Sequence, residues 1–204
     1  LAGGATLSST LATAAAFRET DQTTPIILMG YLNPILHRGL ETFAADAAAA
    51  GVDGLIVVDC PPEEADPLAD ALDAVGVSLI RLAAPTTDDA RLPAVVRRTS
   101  GFVYYVSVAG VTGVKEADSS SVARPVQRLR AASGLPVAVG FGIRTPEKAA
   151  EVARLADGVV VGSALVDEIE GALNGGANEN VTERVLSKAA ELAKAVRLAR
   201  VRDA

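Results

Sequence analysis

Val137-Ala-Val-Gly-Phe-Gly-Ile143 and Val159-Val-Val-Gly-Ser-Ala164 are the two glycine-bearing segments that decide the fold. Each is an apolar run typical of a buried β-strand, stops at a glycine and continues into a helical pattern. The loops after the last two strands of a parallel barrel commonly hold a phosphate. Glycine suits such loops because a Cβ would keep the backbone N–H groups away from the anion. Glycine also ends strands for steric reasons, so it is the pair in consecutive βα units that predicts a phosphate site.

Four further apolar runs precede these two, and together the six predict a parallel sheet. The runs lie at residues 25–29, 54–58, 78–82, 102–106, 136–140 and 158–161. Continuous apolar runs of this length indicate strands covered on both faces by helices. Amphipathic stretches between the runs predict helices at residues 40–50, 63–75, 87–98, 119–132 and 181–201, with an early helix ending near Glu19, another capped by Thr145 and a further one beginning at Ala164.

The regular alternation of strands and helices predicts a (β/α) barrel in a single domain over residues 1–204. No Gly-x-Gly-x-x-Gly follows an early strand, which disfavours a dinucleotide-binding doubly wound sheet. Such a barrel closes with eight strands, whereas six runs are found here. We therefore expect about six of the eight βα units, with a chain that opens in the middle of a unit and is incomplete at its N-terminus.

Composition narrows the partners that the chain is expected to have. Half of the 204 residues are hydrophobic and 3% are aromatic, so the core must be aliphatic. The net charge of −6 disfavours nucleic acid as a partner. Cys60 is the only cysteine and has no Cys or His nearby, which argues against a disulfide, a metal site and thiol catalysis. No apolar run approaches the roughly 20 residues that cross a bilayer, and no leader is visible, so a cytoplasmic protein without a membrane partner is expected.

Six segments of the sequence resemble the α subunits of tryptophan synthase, in that family's order and spacing. They are Pro25-Ile-Ile-Leu-Met-Gly-Tyr-Leu-Asn-Pro34, Gly51-Val-Asp-Gly-Leu-Ile-Val-Val-Asp59 with Pro61 and Glu63-Glu64, Phe102-Val-Tyr-Tyr-Val-Ser107, Gly110-Val-Thr-Gly113, Gly140-Phe-Gly-Ile143 and Gly162-Ser163. The resemblance implies a (β/α)8 TIM barrel and a lyase of tryptophan biosynthesis. The implied reaction is the retro-aldol cleavage of indole-3-glycerol phosphate to indole and glyceraldehyde 3-phosphate. The resemblance also implies a heterotetramer with a β subunit that carries pyridoxal phosphate. It implies no cofactor in this chain.

The same resemblance implies a set of substrate contacts. Tyr104, Thr112 and Phe141 would contact the substrate, and Gly113, Gly142, Gly162 and Ser163 would bind its phosphate. Within that set, Phe141 would offer its face to the indole ring, and residues 110–113 would form a mobile lid. Judged without the family, Tyr104 and Phe141 could instead be core aromatic residues. Likewise, the lid could be an ordinary loop, and Ser163 could be only the N-cap of the helix from Ala164.

The resemblance also implies a set of contacts with a partner. It places Tyr31, Asn33, Asp59 and Pro61 at the β subunit. By position, Asp59 ends a strand, so it could be catalytic or could cap the helix near Glu63.

The family's catalytic Glu and Asp lie upstream of the position that matches Leu1, so no catalytic residue is assigned and little or no cleavage is expected. Two alternatives stay open: a non-catalytic partner of the β subunit, and another phosphate-binding barrel enzyme. Unpaired edges on the first and last strands also predict aggregation or dimerisation.

Overall fold

The computed structural model describes residues 4–107, 120–140, 142–174 and 180–201. In these residues at least one helix follows each strand, and the strands are β1 (Ile27–Gly30), β2 (Gly54–Val57), β3 (Ser78–Ala83), β4 (Val103–Val106), β5 (Val137–Gly140) and β6 (Gly158–Val160). The helices are α1 (Leu7–Arg18), α2 (Leu32–Arg38), α3 (Leu40–Ala49), α4 (Asp66–Asp73), α5 (Leu92–Val96), α6 (Ser120–Ser133), α7 (Pro146–Ala153), α8 (Ser163–Asn174) and α9 (Val181–Val201). All six predicted strands are confirmed, each within two residues of its predicted ends.

The first of two compact units comprises Leu1–Leu82 and Ala90–Val103. Its strands β1, β2 and β3 pair in parallel, with Gly54 opposite both Ile27 and Ser78. Every residue of β2 is buried, as expected for a strand that is covered on both faces. The core of this unit contains Phe43 from α3, Leu68 and Leu72 from α4, and Leu55 and Leu79 from the strands.

The second unit comprises Ala83–Asp89 and Tyr104–Ala204. Strands β5 and β6 pair in parallel, and α9 packs along α7 and α8. The fully buried side chains of this unit are aliphatic and include Val126, Leu129, Val137, Val139 and Val152. Valine and leucine side chains thus fill this core, as expected for a sequence with few aromatic residues.

Two predicted helices are shorter in the structure. The helix predicted at 87–98 is α5, which begins at Leu92, because Thr87 Oγ1 accepts a hydrogen bond from the Ala84 N–H at 3.1 Å and holds a turn there. The helix predicted at 63–75 is divided into a 3-10 turn, Pro62–Glu64, and α4. Pro67 lies in the first turn of α4, a position where its missing N–H costs nothing.

The sequence did not predict α2. Pro34 falls in the first turn of this helix, where proline is tolerated. The predicted Thr145 cap of α7 is confirmed, since Thr145 Oγ1 accepts the Lys148 N–H at 3.3 Å. None of the helices described above combines the length and apolar character needed to span a bilayer.

Candidate functional site

The turns that follow β5 and β6 lie side by side. Gly140, the last residue of β5, is opposite Val160, the last residue of β6. Gly142 and Gly162 therefore each follow two residues after a matched pair of strand ends. Gly142 has φ +59°, which is the left-handed region that favours glycine. Two glycine turns thus follow the carboxyl ends of two neighbouring strands. The sequence predicts that Gly142, Gly162 and Ser163 bind phosphate there, and we call these three residues the phosphate cradle.

The second of these turns opens directly into α8. The Gly162 carbonyl accepts hydrogen bonds from Leu165 at 2.9 Å and Val166 at 3.2 Å, so the helix begins at Ser163. Ser163 is therefore the first helical residue and does not cap a helix that starts at Ala164. The first N–H groups of a helix lack acceptors within it and carry the positive end of its dipole. Among the residues that the structure describes, none has an atom within 4 Å of a Cβ built at Gly162.

Tyr104 and Gly140 pack against each other beside these turns. A Cβ on Gly140 would come within 2.7 Å of Cε2 and 2.8 Å of Cζ of the Tyr104 ring. The Ser107 N–H and hydroxyl both donate to the Gly140 carbonyl at 3.1 Å. Burial raises the pKa of Tyr104, so its hydroxyl stays protonated at neutral pH and can donate a hydrogen bond. The neighbouring Tyr105 is 4% exposed and is a packing residue.

Three of the predicted site residues cannot be placed. Thr112, Gly113 and Phe141, together with the rest of the predicted lid at 110–113, lie outside the described residues. Their roles stay predictions. Within the described part of the chain, no group of three or more His, Cys, Asp or Glu side chains could hold a metal ion.

The four residues predicted to face a partner, Tyr31, Asn33, Asp59 and Pro61, are all exposed on the first unit. Asp59 Oδ1 accepts the N–H of Leu32, the first residue of α2, at 2.7 Å. This contact brings Asp59 next to Tyr31 and Asn33 from a point 27 residues away in sequence. The expectation that Asp59 caps the helix near Glu63 is wrong, because the carboxylate caps α2 instead.

Two arginines with specific partners were missed in the sequence. Arg81 lies inside the apolar run of β3, is 6% exposed, and donates from Nη2 to the Cys60 carbonyl at 2.9 Å. Arg144, two residues after Gly142, forms an ion pair with Asp167 of α8. A charged residue in the middle of an apolar strand was a visible signal for Arg81, whereas the partner of Arg144 could be found only once the two turns were adjacent.

Comparison with known proteins agrees with the resemblance seen in the sequence. The family model of the tryptophan synthase alpha chain matches residues 1–197. The tryptophan synthase alpha chain of Caulobacter vibrioides is 76% identical over 201 residues, which are 98% of this chain and 72% of that protein. The corresponding protein of Phenylobacterium zucineum is 72% identical over 200 residues, again 98% and 72%.

Solved structures give the same result. The tryptophan synthase alpha chain of Legionella pneumophila superposes with a TM-score of 0.85 at 39% identity, over 97% of this chain and 72% of that one. A structure of the tryptophan synthase α2β2 complex of Pyrococcus furiosus gives a TM-score of 0.80 at 38% identity, over 94% and 75%. The predicted fold class, a (β/α)8 barrel of which about six βα units are present here, is thereby confirmed. The chain belongs to the tryptophan synthase alpha chain family.

Proposed function

We propose that this chain binds indole-3-glycerol phosphate and serves its retro-aldol cleavage to indole and glyceraldehyde 3-phosphate. Membership of the alpha chain family supports the reaction. The observation that carries the assignment is the pairing of Gly140 with Val160, which sets the turns of Gly142 and Gly162 side by side at the start of α8. Bare backbone N–H groups at a helix N-terminus bind phosphate without a net positive surface, which suits a chain with a net charge of −6.

In this proposal the cradle holds the end of the substrate that does not react. Gly142, Gly162 and Ser163 donate backbone N–H groups to the phosphate, and the Ser163 hydroxyl adds another donor. Phe141 stacks on the indole ring, and Tyr104 lies beside the substrate. Thr112 and Gly113 close over it. Binding energy from the phosphate then orients the carbon–carbon bond that breaks.

The cleavage also needs proton transfers. An acid must protonate indole C3, and a base must act on the glycerol hydroxyl and the indole N–H. Two carboxylates in unlike environments can divide such work. We assign neither role to any acid in residues 1–204, since none occupies a position that matches the family's catalytic Glu or Asp. Asp59 in particular is engaged with the N–H of Leu32.

A second candidate function is docking to a β subunit without cleavage by this chain. The observation that favours it is the exposed group of Tyr31, Asn33, Asp59 and Pro61, which the contact between Asp59 and Leu32 holds together. We propose that this group faces a β subunit, as in the α2β2 complexes of the family. That subunit would carry the pyridoxal phosphate and receive the indole, and this chain would contribute no cofactor.

One experiment separates the two functions. The 204-residue chain is mixed with a tryptophan synthase β subunit, and two rates are followed: release of glyceraldehyde 3-phosphate from indole-3-glycerol phosphate, and formation of tryptophan from indole. We expect binding of indole-3-glycerol phosphate, a changed rate of tryptophan formation and slow cleavage. Near-normal cleavage would show that an acid within residues 1–204 performs the proton transfers. Failure to bind the substrate would contradict the proposal that Gly142, Gly162 and Ser163 form a phosphate cradle.

A further inference from the structure

An ion pair joins the first turn of the phosphate cradle to the helix that follows the second. Arg144 follows Gly142 by two residues, and its Nη1 donates to Oδ2 of Asp167. Asp167 lies four residues after Ser163 in α8, and residues four apart share one face of a helix. The side chains are 42% and 47% exposed. The pair therefore spans from the turn after β5 to the first two turns of the helix after β6.

The charge of Asp167 opposes anion binding at this place. Its Cα lies about 6 Å along the axis from that of Ser163, at 1.5 Å per residue. Side chains of a helix lean toward its N-terminus, so the carboxylate is directed back toward the N–H groups that would hold the phosphate. A carboxylate at that distance repels a phosphate dianion. The guanidinium of Arg144 cancels this repulsion while it remains paired.

We propose that Arg144 and Asp167 act as positioning residues that set the charge and spacing of the phosphate cradle. This inference rests on the proposed function, since it takes the cradle to be occupied by phosphate. Arg144 keeps the rim of the cradle electrically neutral and ties its two turns together. Asp167 holds Arg144 in place, and it limits how strongly the cradle binds an anion.

The test is a titration of the 204-residue chain with inorganic phosphate by calorimetry at low ionic strength. Asp167→Asn should tighten binding about sixfold and Arg144→Ala should weaken it about sixfold, as one unit charge roughly 8 Å from a dianion would do in water. The double variant should return close to the unchanged chain, and Arg144→Lys should retain most of the affinity. These differences should shrink in high salt, because exposed charges are screened there.

The neighbouring residue offers a matched control. Glu168 pairs with Arg184 of α9 at 2.9 Å, so its carboxylate is directed to another helix. Glu168→Gln removes the same charge and should change the phosphate affinity less than Asp167→Asn does. Thermal melting of each variant confirms that it is folded.

Two results would overturn the proposal, and they differ from each other. If the unchanged chain binds phosphate but Asp167→Asn binds it no more tightly, the pair has only a structural role, since loss of a merely structural contact weakens binding in both single variants. If the unchanged chain binds no phosphate, the cradle itself is wrong and the pair's role is lost with it.

Discussion

Gly140 and Gly162 are both glycines at strand ends, but for opposite reasons. A Cβ on Gly140 would overlap the ring of Tyr104, whereas a Cβ on Gly162 would meet no atom of the described part of the chain within 4 Å. Packing therefore requires the first glycine and does not require the second. The proposed phosphate cradle gives Gly162 a different reason to be glycine, which is the approach of the anion to its backbone N–H.

Replacement of Gly162 by alanine tests that explanation. We expect Gly162→Ala to leave the thermal unfolding temperature unchanged, because the new methyl group meets no described residue within 4 Å. The affinity for inorganic phosphate should fall by about tenfold to a hundredfold, since one donor to a charged ligand is worth about 1.5–3 kcal/mol. Calorimetric titration and a melting curve measure both. An alanine variant that binds phosphate normally would show that the anion does not approach this residue.

Replacement of Gly140 by alanine should have the reverse pattern. The methyl group would force the Tyr104 ring to move, and overpacking of this kind costs about 1–3 kcal/mol. Urea denaturation measures the free energy of unfolding. The matched comparison is the same substitution made in a Tyr104→Ala background, where the cost should largely disappear because the opposing ring is gone. Equal costs in the two backgrounds would contradict the contact.

Asp157 makes the stability depend on pH. Burial acts to raise the pKa of its carboxyl, but hydrogen bonds from Arg130 Nε at 2.7 Å and the Val137 N–H at 2.8 Å outweigh it, and the pKa lies below the ordinary 3.8. A carboxyl with a lowered folded pKa stabilises the protein above its unfolded pKa, and this contribution is lost as the pH falls through the folded value.

The corresponding variant is Asp157→Asn, which cannot ionise. We expect it to unfold at a lower urea concentration than the unchanged chain at pH 7. The difference between the two urea midpoints should narrow once the pH falls below 3.8. In that range the Asp157 carboxyl of the unchanged chain becomes protonated, first in the unfolded state and then in the folded state. Urea midpoints at several pH values between 7 and 2.5 measure this. A gap that is constant over the range would mean that the charge of Asp157 does not contribute.

Among the elements, the strands were predictable and some of the helices were not. Each strand is a short apolar run, a pattern that survives without knowledge of its neighbours. The helix α2 was missed because its start depends on Asp59, which arrives from 27 residues away. The helix α5 was overextended because Thr87 and Ala84 form a local turn instead. Elements whose ends are set by distant or competing hydrogen bonds are those that sequence periodicity cannot delimit.

The cap of α2 can be removed directly. Asp59→Ala deletes the acceptor for the Leu32 N–H, and loss of such a cap costs about 1 kcal/mol. We expect faster hydrogen exchange of the α2 amides and weaker binding to a β subunit, because the surface with Tyr31 and Asn33 would lose its support. Asp59→Asn keeps an oxygen acceptor and should behave nearly as the unchanged chain. Unchanged exchange in the alanine variant would show that the cap is not needed.

For the molecule as a whole, the fold and part of the candidate site could be predicted from the sequence. The parallel strands and the two glycine turns were visible as local patterns. The side-by-side placement of Gly142 and Gly162 follows from the register of β5 and β6, which no local pattern states. The ion pair of Arg144 with Asp167 joins the turn after β5 to α8, so it becomes visible only in three dimensions.

The free edge of β1 gives a prediction at the same scale. Strand β1 pairs with β2 on one side, and no other described strand pairs with it. Met29 on this strand is 60% exposed, and exposed apolar edges promote association. We expect the 204-residue chain to self-associate in sedimentation velocity, and Met29→Lys to reduce this because a charged lysine blocks edge pairing. A monomeric unchanged chain at the same concentration would contradict the expectation.

The sequence contains a single thiol, on Cys60, which is 7% exposed. A chromogenic disulfide reagent can react with it only when the loop held by Arg81 opens. The rate of labelling therefore measures local opening of the first unit. No engineered probe is needed. The labelling rate of Cys60, measured before and after a partner is added, would show how much docking slows the opening of that loop.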